Sequence, residues 1–142
     1  MTGSNEKNAQ KDRLTALLAA RNLRPTRQRL SLAAYLFDGK PKHVTAEQVM
    51  AAAQKQKEPV SLATVYNSLH QFTRAGLLRE ILIDQTRRYF DTTISDHHHF
   101  FDEVSGDLWD IPSGVLRIEG LPLPPSGRKI DGIGVVVRLA KA

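Results

Sequence analysis

Apolar residues recur at helical spacing through the first part of the chain. The segment "KDRLTALLAARNL" carries one such face, formed by Leu14, Leu17 and Leu18. The segment "RPTRQRLSLAAYLFDG" repeats the spacing, with Thr26 in position to cap the start of a helix and Gly39 in position to end it. Because residues three and four apart share one face of an α-helix, these patterns predict two amphipathic helices.

Two further helices are predicted, with a short break between them. Thr45 and Gln48 stand at capping-box spacing in "TAEQVMAAAQKQ", and Pro59 prevents that helix from continuing. The next segment, "SLATVYNSLHQFTRAG", runs from a cap at Ser61 to Gly76. Its apolar face consists of Leu62, Val65, Leu69 and Phe72. The polar residues of the same helix predict an exposed stripe made of Thr64, Asn67, Ser68 and Gln71.

Alternation of apolar and polar residues predicts strands in the rest of the chain. "LLREILID" and "RRYFD", joined by "QT", predict a β-hairpin with two arginines near its tip. Further strands are predicted at 97–103, 107–111 and 130–139, with a short helix over 113–119. Helices followed by a hairpin are the order of a winged helix. We therefore predict an α+β chain, with a winged helix-turn-helix domain over 1–93 and a small α/β domain over 94–142.

The charge of the chain is unevenly distributed between these two parts. The net charge is +5, yet residues 1–93 contain 15 Lys and Arg against 8 Asp and Glu, while residues 94–142 contain 5 against 7. A basic first domain indicates a nucleic-acid partner. No apolar run approaches the roughly 20 residues of a membrane span, and the polar N-terminus lacks a signal sequence. We expect a cytoplasmic protein with no membrane partner.

The polar stripe of the fourth predicted helix suits the major groove of DNA. Asn and Gln can pair with adenine through two hydrogen bonds, and no acidic residue between Glu58 and Glu80 would repel phosphates. The candidate DNA-reading residues are Thr64, Tyr66 and Asn67. The candidate phosphate-binding residues are Arg24, Arg27, Arg29, Arg87 and Arg88. The alternative interpretation is an uncharged helix face that contacts only solvent.

Three of the five histidines stand in a row in "DHHHFF". On a strand, His97 and His99 point to one face and His98 to the other. Two histidines at this spacing can chelate a divalent metal if one or two further N or O ligands join them. The alternative is a pair of hydrogen-bonded histidines in a half-buried sheet. The chain has no cysteine, which excludes disulfides and thiolate metal sites.

Three segments together resemble one known family. "VSLATVYNSLHQFTRAGLLRE", "RRYFD" and "DHHHFF" resemble the ferric uptake regulator superfamily of metal-responsive transcription factors, and the "HHHFF" pattern is similar to its iron response regulator branch. The resemblance implies a repressor-type homodimer whose second domain provides dimerisation. It also implies a regulatory metal site in the hinge between the domains, with ligands at His43, Asp91, His97, His99 and Asp110. Two half-sites on one duplex would form an A·T-rich inverted-repeat operator.

The chain also departs from the family pattern. It lacks the paired CxxC motifs that hold structural zinc in many relatives, so the dimer is expected to rely on packing and sheet pairing. A second metal site of some relatives falls on Arg117 and Ile133, which implies that this site is absent. Asn67 replaces an arginine that is common elsewhere in the family, so we expect a different operator sequence.

The identity of the regulatory ligand stays open. The iron response regulator resemblance implies haem, with His97, His98 and His99 as candidate residues, since a chain without cysteine can offer only His, Met or Tyr as axial ligands. The five carried-over ligands could instead form a plain Fe(II), Mn(II) or Zn(II) site. Three histidines with two aspartates also resemble the peroxide-sensing branch, in which bound iron oxidises a histidine ligand. We favour a haem-linked regulator of iron homeostasis because "HHHFF" and "VSLATVYN" point to it together.

A zinc hydrolase is the remote alternative. Three histidines and a carboxylate could hold a catalytic zinc with an open water position. No Gly-rich loop, nucleophile elbow or general-base motif accompanies the histidines. We therefore expect a regulator and not an enzyme.

Overall fold

Four helices and a small sheet form the first of two units in the computed structural model, which describes residues 2–142. The division between the units falls after Ile94. In chain order, the elements of the first unit are α1 (Thr2–Ala19), α2 (Arg27–Leu36), β1 (His43–Val44), α3 (Ala46–Lys55), α4 (Leu62–Arg74), β2 (Arg79–Leu82) and β3 (Arg88–Asp91). No helix among the described residues is long and apolar enough to cross a membrane.

The three predicted helix caps are confirmed. The Thr26 hydroxyl accepts a hydrogen bond from the Arg29 backbone N–H, and the Ser61 hydroxyl accepts one from the Thr64 backbone N–H. Thr45 forms the full capping box with Gln48. These bonds satisfy N–H groups that would otherwise have no partner in the first helical turn. The sequence signals therefore fixed where α2, α3 and α4 begin.

Helix α1 is longer than its sequence pattern predicts. The apolar spacing begins at Leu14, but the helix already begins at Thr2. Its residues 3–13 are exposed, and its buried residues are Leu14 and Leu18. Apolar periodicity reports burial of a helix face, so it cannot detect helical turns that face solvent.

The core of the first unit joins the helices to the sheet. Val49 of α3, Val65, Leu69 and Phe72 of α4 and Phe90 of β3 are fully buried in one apolar cluster. The predicted apolar face of α4 is thereby confirmed, with Leu62 at its half-buried edge. Burial of this face fixes which side of α4 points outward.

The sheet of the first unit contains the predicted hairpin and one strand that the sequence did not reveal. Its strand order is β1-β3-β2, with both pairs antiparallel. The hairpin of β2 and β3 is confirmed. Strand β1 has only two residues, too few for an alternating pattern, and its pairing sets His43 opposite Asp91.

The second unit is a three-stranded sheet made of β4 (His98–Asp102), β5 (Leu108–Ile111) and β6 (Val136–Leu139), in the order β5-β4-β6. Strand β4 pairs antiparallel with β5 and parallel with β6. The three predicted strands are therefore confirmed, although β6 is shorter than predicted. The mixture of helix and sheet over the whole chain confirms the α+β class.

The predicted helix over 113–119 is wrong. A turn follows Pro112, and residues 117–135 have no regular structure. Gly114 and Gly120 adopt positive φ angles of 83° and 77°, which a continuing right-handed helix does not allow. The described part of the second unit is therefore a sheet without a helix, and not the predicted α/β domain.

Candidate metal centre and nucleic-acid interface

In the first unit, β1 and β3 bring an imidazole and a carboxylate together. His43 Nε2 lies 3.3 Å from Oδ2 of Asp91, its cross-strand partner. The Asp91 side chain is only 1% exposed, and its Oδ1 accepts a hydrogen bond of 2.8 Å from the Thr93 backbone N–H. One carboxylate oxygen is therefore held by the backbone while the other faces the histidine. A carboxylate this deeply buried calls for a cation or further hydrogen bonds.

Hydrogen bonds around the preceding residue hold this short strand in place. The Lys42 backbone N–H donates to the Thr92 hydroxyl over 2.9 Å, and the Thr92 N–H donates to the Lys42 carbonyl over 3.1 Å. The Lys42 ammonium lies 2.6 Å from Asp38. That hydrogen bond, with one from the Lys40 backbone, holds the pKa of the Asp38 carboxyl below its usual range. These contacts extend the ladder beyond His43 and fix its position.

In the second unit, two histidines converge on one carboxylate. The Nε2 atoms of His97 and His99 lie 3.2 Å and 3.3 Å from the same Oδ1 of Asp110. The two imidazole rings have centroids 4.4 Å apart, and His99 is the cross-strand partner of Asp110. Two imidazole nitrogens and one carboxylate oxygen thus lie close enough together to act as ligands of a single metal ion.

A hydrogen bond fixes the tautomer of His97. Its Nδ1 lies 2.6 Å from the carbonyl oxygen of Ser95, and a carbonyl can only accept. Nδ1 therefore carries the proton, which leaves a lone pair on Nε2 of the neutral ring. That lone pair faces a carboxylate oxygen, so a proton or a metal cation must lie between them. A backbone acceptor on the far nitrogen is the usual arrangement of a metal-binding histidine.

His98 points to the opposite face of β4, as strand alternation predicts. Its Nδ1 accepts a hydrogen bond of 3.1 Å from the Val135 backbone N–H. Nε2 of the neutral ring therefore carries the proton, and neither nitrogen has a lone pair free for iron. His98 lines an open cavity of about 460 Å³ with a set of aliphatic residues, Ile111, Leu116, Ile118, Ile130 and Ile133.

The DNA-facing stripe of α4 is only partly as predicted. Asn67 is exposed, and Thr64 and Tyr66 are half-buried. The expectation that Ser68 belongs to the exposed stripe is wrong, because Ser68 is only 6% exposed. It follows Val65 by three residues and therefore lies on the buried face of the helix. Gln71 is half-buried, and its side chain accepts a hydrogen bond from Arg29.

Most of the candidate phosphate-binding arginines have carboxylate partners within the first unit. Arg27, Arg87 and Arg88 pair with Glu58, Asp84 and Glu80 at 3.0, 2.6 and 3.0 Å. The Arg87 side chain holds the pKa of the Asp84 carboxyl well below its usual range. Arg27 nevertheless stays 83% exposed, and Arg24 is also exposed. The acids were visible in the sequence, but pairing across a hairpin or between segments is a tertiary property.

A ring contact between His70 and Tyr66 was not predicted from the sequence. The ring of His70 lies between Tyr66 and Phe90, with centroid distances of 6.2 Å and 5.9 Å. The spacing of four residues between Tyr66 and His70 would have indicated a shared helix face. His70 thus supports the position of Tyr66 against the sheet.

The two positions onto which the family resemblance places a second metal site, Arg117 and Ile133, offer no ligand group. Arg117 pairs with Glu119 at 3.0 Å, and Ile133 is exposed. Neither an arginine nor an isoleucine offers a donor atom to a divalent cation.

Comparisons with known proteins agree on one family. The pattern that defines the ferric uptake regulator family matches residues 20–119. The chain is 32% identical over 110 residues to the peroxide operon regulator of Bacillus subtilis, which covers 77% of this chain and 75% of that protein. It is 30% identical over 95 residues to the peroxide-responsive repressor PerR of Staphylococcus aureus, covering 67% and 64% of the two chains.

Solved structures show the same fold. The ferric uptake regulator of Vibrio cholerae matches with a TM-score of 0.70 at 18% identity, over 89% of this chain and 98% of that chain. The manganese-containing ferric uptake regulator of Pseudomonas aeruginosa matches with a TM-score of 0.66 at 22% identity, over 90% and 97% of the two chains. The extent of the family match and the identity to the Bacillus protein together show that this chain belongs to the ferric uptake regulator family.

Proposed function

We propose that this protein is a repressor of transcription whose DNA binding depends on one divalent metal ion held by His43, Asp91, His97, His99 and Asp110. The family consists of metal-responsive DNA-binding regulators that form dimers. The observation that carries the metal site is the geometry of His97, whose Nδ1 lies 2.6 Å from the Ser95 carbonyl oxygen while its Nε2 lies 3.2 Å from Oδ1 of Asp110. Two acceptors in contact repel each other unless a cation or proton lies between them.

Neither unit by itself supplies enough metal ligands. His43 and Asp91 supply two donors, and the second unit supplies three, His97, His99 and Asp110. Fe(II), Mn(II) and Zn(II) bind four to six ligands of these types. We propose that both sets bind the same ion. When bound, the ion supplies positive charge that offsets the two carboxylates.

The same proposal explains how metal would control DNA binding. Ligands from both units can be satisfied together only in some arrangements of the two units, so occupancy selects those arrangements. The effect on DNA cannot exceed the difference in metal affinity between the arrangements. We propose that the selected arrangement places two copies of α4, one from each protomer, on an A·T-rich inverted repeat.

On the DNA, we propose that Tyr66 and Asn67 contact bases while Arg24, Arg27, Arg87 and Arg88 contact phosphates, with Thr64 beside them. Asn67 is the exposed amide of α4. Arg24 and Arg27 are expected to contribute most of the phosphate contacts, because both are exposed and Arg27 is 83% exposed although it pairs with Glu58. The hairpin residues Arg87 and Arg88, paired with Asp84 and Glu80, are only 40% and 37% exposed.

A matched pair of histidine variants tests the metal site. The DNA affinity of the full chain would be measured by fluorescence anisotropy, with and without Mn(II), on a duplex selected by the wild-type protein. We expect His99→Ala to abolish the gain in affinity that Mn(II) provides, and His98→Ala, on the other face of β4, to retain it. Equal loss in both variants, or retention in both, would show that these residues are not the regulatory site.

Peroxide sensing by this site is a second candidate function. The relatives that are 32% and 30% identical to this chain over 110 and 95 aligned residues are named as peroxide regulators, and three imidazoles with two carboxylates are available here. We expect treatment of the Fe(II)-loaded protein with hydrogen peroxide to add one oxygen atom to His97 or His99, detectable by peptide mass spectrometry. The Mn(II)-loaded protein is the control. Unmodified histidines after DNA release would exclude this function.

Haem is the third candidate ligand, and the cavity beside His98 is the observation that favours it. Haem ligation by His98 would require the hydrogen bond from Val135 to break, which weakens this candidate relative to the divalent metal. A haemin titration followed by visible absorption tests it. A stoichiometric Soret shift that is lost when all three histidines of the run become alanine would support haem.

A further inference from the structure

A hydrogen bond between two helices restricts how Gln71 can bind DNA. The Arg29 guanidinium of α2 donates through one terminal nitrogen to Gln71 Oε1 over 2.6 Å. Its other terminal nitrogen donates to the Arg24 carbonyl oxygen over 2.9 Å. Both side chains are half-buried, so water competes less for this bond than at an open surface.

The chemistry of arginine fixes which way the Gln71 amide faces. A guanidinium has only donors, so the atom that it contacts must be the amide oxygen and not the amide nitrogen. The bond is charge-assisted, which makes it stronger than a bond between neutral groups. One of the two lone pairs of the Gln71 oxygen is therefore engaged by a cationic donor, which weakens that oxygen as a second acceptor and strengthens the NH2 group, with its two donors, as the part available to another partner.

We infer that Gln71 binds DNA mainly through its NH2 donors, and that it therefore selects guanine or thymine over adenine. This inference rests on the proposed function, in which α4 reads the major groove. Pairing a glutamine with adenine through two bonds needs both its donor and its acceptor. Guanine presents two acceptors, N7 and O6, and thymine presents O4, so either can bind the NH2 group of an amide whose oxygen is bonded to Arg29.

Asn67 differs from Gln71 in this respect. It is exposed, and its amide has no hydrogen-bond partner among residues 2–142. Both its donor and its acceptor are available, as adenine requires. The two amides of α4 thus differ in their capacity to accept a hydrogen bond from DNA, and Arg29 is the positioning residue that creates this difference.

In vitro selection from a pool of randomised duplex DNA tests the inference. Mn(II)-loaded full-length protein would be used as wild type, Gln71→Glu, Gln71→Met and Arg29→Met, with circular dichroism to verify folding. Gln71→Glu retains an acceptor for Arg29 and removes both donors, while Arg29→Met releases the amide oxygen. Preference at each base pair is compared, and not total affinity, because the added charge of glutamate weakens binding to every sequence.

We expect one base pair in each wild-type half-site to favour guanine or thymine over adenine by about 2- to 10-fold, as a single hydrogen bond implies. That preference should disappear in both Gln71 variants, and Arg29→Met should gain tolerance of adenine at the same position. Asn67→Ala is the matched control, since it should lose preference at a different base pair.

Two results would overturn the inference while leaving the proposed function intact. One is a wild-type motif that neither Gln71 variant changes. The other is a wild-type preference for adenine that Gln71→Met removes, which would show that the amide uses its acceptor on DNA. Absence of any motif for the wild-type protein would instead overturn the proposed function, and this inference with it.

Discussion

Replacement of Asp91 by asparagine should separate the stability of the metal-free protein from its response to metal. Asp91 is 1% exposed, and its Oδ2 lies 3.3 Å from His43 Nε2. Asparagine has the same shape and can still accept the hydrogen bond from the Thr93 N–H through its oxygen. The substitution therefore keeps the shape of the side chain, removes its charge and places an NH2 donor where Oδ2 faces His43 Nε2.

The two effects of Asp91→Asn should have opposite signs. Burial of a carboxylate beside a neutral imidazole costs several kcal/mol, and histidine is ordinarily neutral at about pH 8, so we expect the metal-free variant to gain about 1 kcal/mol. Loss of a group that hydrogen-bonds to a metal ligand lowers metal affinity by about 10- to 100-fold. Loss of a charged ligand itself should therefore lower metal affinity by about 100-fold or more.

The size of the metal response follows from mass action. At a free Mn(II) concentration of about 100 times the wild-type Kd, binding stabilises the wild-type protein by about 2.7 kcal/mol. With a Kd raised about 100-fold, the same Mn(II) concentration stabilises the variant by only about 0.4 kcal/mol. The variant should thus be more stable than wild type in EDTA and less stable than wild type in Mn(II).

Urea denaturation, followed by circular dichroism, measures both the stability in EDTA and the stabilisation by Mn(II). The measurement is made at about pH 8, where histidine is ordinarily neutral. Asp84→Asn is the matched control, because Asp84 also accepts several hydrogen bonds but lies in the turn between β2 and β3. It should leave the gain from Mn(II) unchanged. An Asp91→Asn variant that is stabilised by Mn(II) as much as wild type would refute Asp91 as a ligand.

Phe72→Ala should lower the free energy of unfolding by about 3–5 kcal/mol, measured in urea, because Phe72 is fully buried in the apolar cluster. Arg87 holds the pKa of Asp84 below its usual range, so this pair stabilises the fold above the ordinary aspartate pKa of 3.8. The contribution is lost as the pH falls through the lowered pKa, so the unfolding free energies of wild type and Asp84→Asn should converge in acid. A difference that stays constant with pH would contradict this. Arg24→Ala should weaken binding to all DNA sequences alike and reduce the slope of log Kd against log salt concentration by about 1. Asn67→Ala should instead reduce discrimination between selected and random duplexes, with little change of this slope. The same change of slope in both variants would contradict these roles.

The sequence alone determined three helix caps, the apolar face of α4 and the β2–β3 hairpin of the first unit. Thr26, Thr45 and Ser61 cap their helices as their positions predict, because a cap is formed by residues two or three apart. The apolar face of α4 and the β2–β3 hairpin were likewise predictable, since helical and strand periodicity lie in consecutive residues. The resemblance to the family identified the five candidate ligands by position.

Tertiary structure decided the properties that depend on residues far apart in the chain. Strand β1 forms only because β3 lies beside it, and that pairing sets His43 opposite Asp91. The helix expected after Pro112 does not form, since Gly114 turns the chain instead. The tautomer of His97 depends on the Ser95 carbonyl, and the orientation of the Gln71 amide depends on Arg29, which is 42 residues away. Donor and acceptor roles of this kind cannot be read from residue types, because they are set by the partner that folding brings within hydrogen-bond distance.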